Sequence, residues 1–453
     1  MDRISGLPKV ILHDILGRLP DKDAAKTSVL SKAWRETWFS FPILSYCSRN
    51  FFNLHGKLDM FIQYQSKNLT KLVLREGIRL DPAFLNHSLK FFSMRTLSLS
   101  HVLLEDERVI EHFISHCPLI EHLTLHFCYV YNPSPCNLQG LQKLKGADIR
   151  GIQEVYIDAP NLENLYYRAL DMDTPFKMNL DSCTNLRWLS LQNLRSPNKW
   201  FLEQFYWIPF LESLMLHNCS MFEHERINIP SPELKFFSLS HCSNLKEVNI
   251  DAPNLLSCEY DGKGNPVISF LRISNQLELN AHYGVIMNHR HVYSLREFVQ
   301  NIKPQKVLAS LSLFIHEPYS IREILGVGVL QVSSPPPCIK HVQLCFPMNM
   351  EARYFPLMNW LLSSCFPKTI SFCLQSNFNM KAFIVFFYEM LMDRKKCGCY
   401  LRSRSKQCCW HGLKVVKVTH LERTYENVED LKAMLDALPE SPVEELITFG
   451  LEL

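Results

Sequence analysis

"LESLML" spans Leu211–Leu216, and its spacing of apolar residues, LxxLxL with tolerated substitutes, returns eight more times in the chain. It stands as "LTKLVL" at Leu69, "MRTLSL" at Met94, "IEHLTL" at Ile120, "LKGADI" at Leu144, "LENLYY" at Leu162, "LRWLSL" at Leu186, "LKFFSL" at Leu234 and "LLSCEY" at Leu255. Successive steps are 25, 26, 24, 18, 24, 25, 23 and 21 residues. In each unit two apolar residues at period two point inward from a short strand, and the leucine ahead of them packs beneath. A single unit cannot hide its apolar side, so the units must stack into a curved array.

A period near 24 falls within the range of about 20 to 29 residues that marks leucine-rich repeats. The expected fold class is therefore α/β, a solenoid with one parallel strand per repeat, preceded by a small helical segment. Three residues past the last leucine of the strand, such repeats hold a buried position that tolerates Asn or Cys. Cys128, Cys219 and Cys242 follow Leu125, Leu216 and Leu239 at that spacing and are expected to be structural. Beyond residue 262 the pattern thins, with "LASLSL" at Leu308 and "IKHVQL" at Ile339 as further strands, so a degenerate array is expected through about residue 390.

Ahead of the repeats, "ISGLPKVILHDILGRLPDKDAAKTSVLSKAWRETW" runs from Ile4 to Trp38. Ile11, Ile15 and Leu19 recur at spacing four, Leu12 and Leu16 widen that stripe, and Pro20 ends the helix. Asp23 and Ser31 are expected N-caps for two further short helices. About 40 residues lie near the lower limit for independent folding, so part of this apolar surface must be buried against something else. Trp34 and Trp38 sit one helical turn apart, and Trp38, nearer the helix end, is expected to be the more exposed.

These residues resemble the F-box, in the plant form "ISxLPxxxLxxILxxLPxKDAxxTSxLSKxWRxxW". The resemblance implies docking on a Skp-type adaptor that leads to a cullin-RING ubiquitin ligase. The adaptor contacts it implies are Leu7, Pro8, Ile11, Leu12, Ile15, Leu16, Leu19, Pro20, Leu30, Ser31, Trp34 and Trp38. Ala33 and Thr37 depart from the usual basic residue and leucine. The competing reading of this segment is a helical cap that closes the end of the solenoid. "DAPNL" occurs at Asp158–Leu162 and again at Asp251–Leu255, with Pro160 and Pro253 predicted to turn the chain between strands. The phrase "APNL" and the irregular repeats resemble those of plant F-box proteins over about residues 65 to 262.

The last segment offers "LKVVKVTHL", "NVEDLKAMLDAL" and "VEELITFGL", read as strand, helix and strand, an order that resembles the FBD region of plant F-box leucine-rich proteins. The expected division is residues 1–45 F-box, 46–390 repeats and 391–453 a basic loop with the FBD-like region. Cys397, Cys399, Cys408, Cys409 and His411 invite a zinc reading, but their CxC and CC pairs are not the usual CxxC or HxxxH, so a surface loop is expected. The basic run from Arg394 to Lys406 is read as solvated rather than as a nuclear-import patch, and His282, His289 and His291 as a loop rather than a metal site.

The chain is 47% hydrophobic and 21% charged with net charge +3, which forces neither a nucleic-acid nor a membrane partner. The opening "MDRISGLPKV" carries no long apolar run, so reduced thiols in nucleus or cytoplasm are expected. "MKAFIVFFYEMLM", at 13 residues with Lys381 and Glu389, reads as a buried helix rather than a membrane span. No phosphate-binding glycine loop, HExxH or GxSxG motif occurs, so neither an enzyme nor a cofactor is expected. What the resemblance implies is a substrate-recognition subunit of a Skp-cullin-F-box ligase whose repeats hold a target protein. The alternative is a scaffold that binds a partner without promoting its degradation.

Overall fold

The computed structural model describes residues 4, 6–47, 68–80, 91–104, 108–130, 135–172, 174, 176–196, 198–221, 226–242, 245–262, 264–286, 294–316, 338–345, 361, 365–373, 380–396, 415–420, 423–425, 427–437 and 446–452. Residues 1–224 with 230–234 form one compact unit, and residues 225–229 with 235–453 form a second. The cysteine and histidine run at 397–411, His289, His291 and the loop at 333–337 lie outside the described residues.

The first unit opens with helices α1 (Lys9–Arg18), α2 (Asp21–Thr27) and α3 (Lys32–Ser40). Pro8 and Pro20 precede the first two with φ near −57°, an angle already suited to helix entry. Asp23 is therefore not an N-cap as expected; it lies in the first turn of α2 and accepts from Lys26 at 2.8 Å. Ser31 does cap α3, its Oγ accepting from the Trp34 amide at 3.2 Å. Leu12, Leu16, Ala24, Trp34, Trp38 and Phe41 form the small core between them.

Strand β1 (Ile43–Cys47) follows α3 almost at once and belongs to the ladder, straddling the boundary expected at residue 45. The parallel ladder continues through β2 (Lys71–Arg75), β3 (Thr96–Ser100), β4 (His122–His126), β5 (Gly146–Arg150), β6 (Asn164–Arg168), β7 (Trp188–Gln192) and β8 (Ser213–His217). Its register aligns the repeated leucines: Leu72, Leu97, Leu123, Ala147, Leu165, Leu189 and Leu214 form one buried row, and Leu74, Leu99, Leu125, Ile149, Tyr167, Leu191 and Leu216 the next. Tyr167 is the one polar-tipped member, and its hydroxyl donates to the Ile152 carbonyl at 2.7 Å.

The return paths between strands differ in what fills them. The 26-residue step from β3 to β4 carries helix α4 (Arg108–His116), and the 25-residue step from β7 to β8 carries α5 (Asn198–Trp207). The 18-residue step from β5 to β6 carries only the short strand Glu154–Ile157, which pairs in parallel with Cys136–Leu138 and Lys177–Asn179. There "DAPNL" acts as the corner. Ala159 and Leu162 are fully buried, Pro160 and Asn161 make the turn, and Asn161 Nδ2 donates to the Gln142 carbonyl of the preceding turn at 2.8 Å.

A feature the leucine pattern does not announce closes most rungs of the first unit, Ala169 after β6 being the exception. Two residues after the last inward apolar residue, Glu76, His101, Phe127, Asn193 and Asn218 all adopt φ between 48° and 56°, and Gly151 takes 79°. The left-handed turn aims the amide of the turning residue at the next rung: His101 N donates to His126 O at 2.8 Å, Phe127 N to Arg150 O at 2.7 Å and Gly151 N to Arg168 O at 2.8 Å. The following residue then points inward. Cys128 Sγ donates to Leu99 O at 3.6 Å and Cys219 Sγ to Leu191 O at 3.5 Å, each reaching the strand of the preceding repeat.

In the second unit, β9 (Phe236–Ser240), β10 (Ser257–Gly262), β11 (Glu278–Ile286), β12 (Leu308–His316), β13 (Cys338–Cys345) and β14 (Phe366–Cys373) pair in parallel in chain order. Cys242 is half-buried here, its Sγ donating to Ser240 O at 3.4 Å. The end of the chain departs from that pattern. After β15 (Val415–His420) and β16 (Arg423–Tyr425), β17 (Leu446–Glu452) runs antiparallel between β14 and β15. Helix α6 (Ser294–Asn301) packs on the earlier strands, while α7 (Met380–Lys396) and α8 (Val428–Ala437) pack together. Phe372, Phe383, Phe387 and Phe449 interlock edge to face at centroid separations from 4.9 to 5.6 Å where both partners differ in element. The apolar stretch at Met380 is thus a core helix, and no helix among the described residues is long and apolar enough to cross a membrane.

Two outcomes test this architecture. A Cβ at Gly151 would sit 2.7 Å from Phe127 Cδ1 at φ +79°, whereas one at Gly140, φ +76°, meets nothing within 4 Å. Both Gly→Ala changes carry a strain cost of about 1 kcal/mol, and Gly151→Ala adds the clash, so its thermal midpoint falls further than that of Gly140→Ala. Burial pushes the Cys117 and Cys128 thiols up to about 12 and Cys183 up to about 11. Below those values the thiol keeps its proton and is a poor nucleophile. Iodoacetamide at about pH 8 is therefore expected to label exposed Cys338 and spare these three until the chain is denatured, as peptide mapping would show.

Candidate functional site

The helical head presents more apolar surface than it hides. On α1, Leu12 and Leu16 lie four apart and face α3, while Val10 is 79% exposed and Ile11 lies beside it on the outward arc. Leu7 and Pro8 extend that exposed edge ahead of the helix. In the turn between α2 and α3, Val29 is 84% exposed and Leu30 67%. The turn is held by Ser28 Oγ donating to the Ala25 carbonyl at 2.6 Å and by the Leu30 amide donating to the Thr27 carbonyl at 3.0 Å.

The residues assigned to the adaptor from sequence therefore divide. Leu7, Pro8, Ile11, Pro20 and Leu30 are exposed, Ile15, Leu19 and Ser31 half-buried, and Leu12, Leu16, Trp34 and Trp38 fill the core. The distinction expected between the tryptophans does not arise, because Trp34 is 5% and Trp38 7% exposed. Four residues apart on one helix they share a face, so packing one inward carries the other with it. Val10 and Val29, the most exposed apolar residues of the head, were absent from the sequence assignment. The signal for Val10 was its place one residue before the stripe; nothing in the pattern marked Val29.

The head is closed on itself and bonded to the first ladder strand. His13 Nε2 lies 3.1 Å from Ser40 Oγ, and its ring meets Phe41 edge to face at 5.6 Å. Ser45 Oγ donates to Asp21 at 2.6 Å, and Thr70 Oγ1 donates to the Pro42 carbonyl at 3.1 Å.

The outward side of the ladder in this unit is the second candidate surface. The fifth residue of successive strands is Cys47, Arg75, Ser100, His126, Arg150, Arg168, Gln192 and His217, with no acidic residue among them. At the third position Asp148 receives Arg150 Nε and Nη2 at 2.8 and 2.9 Å, and His126 Nε2 lies 2.8 Å from the same carboxylate. That bidentate pair raises the already high pKa of Arg150. The Arg150 guanidinium covers the Tyr166 ring at 4.4 Å, and that of Arg168 lies 5.8 Å from the Phe127 ring, which stacks on His101 at 5.5 Å. A separate ion-pair line runs just ahead of the strands, where Glu121 joins Arg95 and Lys145 and Glu212 joins Arg187. No group of metal-ligating residues occurs among the described residues.

A three-helix head with an outward apolar edge, fused to a ladder of leucine-led parallel strands, defines the class. Residues 4–46 match the F-box domain family, and residues 61–198 match the family described as "FBD-associated F-box protein At5g56370, LRR repeats". Residues 175–420, more than half of the chain, match "At1g61320/AtMIF1, LRR domain". Among proteins of Arabidopsis thaliana, the putative F-box protein At1g49610 is 32% identical over 174 residues, 28% of this chain and 45% of that protein. F-box/LRR-repeat protein At3g26922 is 32% identical over 202 residues, 38% of this chain and 62% of that protein. The putative FBD-associated F-box protein At1g55030 is 28% identical over 270 residues, 55% of this chain and 58% of that protein. The chain thus spans roughly half the length of these relatives. It belongs to the plant F-box/leucine-rich-repeat proteins.

Proposed function

We propose that the chain is a non-catalytic substrate receptor of a Skp-cullin-F-box ubiquitin ligase, working in nucleus or cytoplasm. Its helical head docks a Skp-type adaptor, and its ladder holds the protein to be ubiquitinated. The observation that carries this reading is the exposure of Leu7, Val10, Ile11, Val29 and Leu30 on a segment that already has a filled core. Burying one such side chain under a partner contributes about 1.5 to 3 kcal/mol before the costs of association. A helical cap of a solenoid would turn those residues onto the first repeat. Here those residues stay exposed, while Phe41 and Leu44 and Tyr46 of β1 are buried. The chain itself makes or breaks no bond; it raises the effective concentration of target lysines near the ligase's ubiquitin carrier.

Co-expression with a Skp-type adaptor is expected to give a 1:1 complex. The double change Val29→Asp/Leu30→Asp touches no core residue, so the chain keeps its circular dichroism spectrum while the affinity falls by about 100-fold or more. Adaptor binding that survives this change in a folded chain overturns the docking assignment.

A further inference from the structure

We propose that the outward face of the first unit's ladder takes an extended, glutamate- and aspartate-rich segment of the captured protein along the column of Arg75, His126, Arg150, Arg168 and His217, an inference that rests on the receptor reading above. The strands are parallel and in register, so their fifth residues form one line with rungs about 4.8 Å apart. From Arg75 to His217 the line runs roughly 29 Å, the length of about nine extended residues.

The chemistry of the line is one-sided. Its fifth positions hold three guanidiniums and two imidazoles and no carboxylate, though Arg150 and His126 already face Asp148 at the third position of the same face. Among the described residues neither Arg75 nor Arg168 joins an ion pair, and Arg168 lies over the Phe127 ring instead. The aromatic rings of Phe127 and Tyr166 lie under Arg168 and Arg150, which holds the guanidiniums in place and lowers the entropy they lose on pairing. Carboxylates match planar guanidiniums two bonds at a time.

Charge spacing favours a peptide over a nucleic acid. Asp148 stands two residues before Arg150 on the same outward face, within reach of His126 as well, and Glu76 follows Arg75 directly. A continuous polyphosphate strand must pass both, whereas a peptide can set its acidic residues on the arginines and neutral ones beside these carboxylates.

The test uses the full chain and a fluorescein-labelled nonapeptide of alternating glutamate and glycine, read by anisotropy, with the lysine-for-glutamate peptide and oligo-dT as competitors. The acidic peptide is expected to bind, to weaken steeply with added salt, and to lose about tenfold or more in the Arg75→Glu/Arg168→Glu variant. Lys143→Glu, on an exposed turn off the column, is expected to stay within about twofold. If the double reversal fails to fold, Arg168→Gln, expected to weaken the peptide by about threefold or more, takes its place. Three results overturn the proposal: no binding of the acidic peptide at low salt, equal binding of the lysine peptide, or tighter binding of oligo-dT. Unchanged affinity in a folded variant does so too. Adaptor co-purification in the same preparations separates the readings, since its retention with a silent ladder face defeats only this inference and its loss defeats the receptor reading.

Discussion

The amide that follows a ladder strand has to reach a carbonyl on the next rung, and at most rungs of the first unit a left-handed turn delivers it. A buried or half-buried N–H left unpaired costs about 1 to 3 kcal/mol, while a non-glycine residue in that conformation costs about 1 to 2 kcal/mol. The two are close, so the turn is tolerated at His101, Phe127 and Asn193 because each closes a bond across the ladder. The rest follows from the reversal. The next residue is swung inward, which puts Cys128 and Cys219 beneath carbonyls of the preceding repeat and removes their thiols from solvent. The residue just before the turn is left facing outward, and those residues make the cationic column.

The helical head obeys a different limit. Three helices of seven to ten residues enclose only a few side chains, and Leu12, Leu16, Trp34 and Trp38 fill that space. Any further apolar residue must stay outside, as Val10, Val29 and Leu30 do. The core and the exposed edge therefore come from the same short segment and compete for the same residue types. Changing a core member disturbs the edge indirectly, whereas changing an edge member leaves the core intact.

Much of this was legible in the residues. Leucines at LxxLxL spacing fixed the ladder register, as Leu72 opposite Leu97 and Leu123 shows, and the cysteine spacing marked Cys128 and Cys219 as inward. Strand, helix and strand in the last segment were also readable, though not that Leu446–Glu452 would insert antiparallel between its neighbours, since strand order in a sheet is a tertiary choice. The left-handed turns were only partly readable, because Gly151, Asn193, Asn218 and His101 are residue types that favour positive φ whereas Glu76 and Phe127 are not. The division of the head was not readable either. Periodicity says which residues share a helix face, but Val29 sits in a turn where no period applies.

The short passage from α3 to β1 has a mechanical meaning. Ser40 ends the helix and Ile43 begins the strand, with Phe41 buried between them and Ser45 and Thr70 fastened across the junction. Such a joint has almost no torsional slack, so helices and rungs behave as two arms of one rigid elbow. Anything gripped by one arm is aimed, rather than tethered, toward whatever grips the other, and its reach is set by which rung it occupies rather than by the length of a linker.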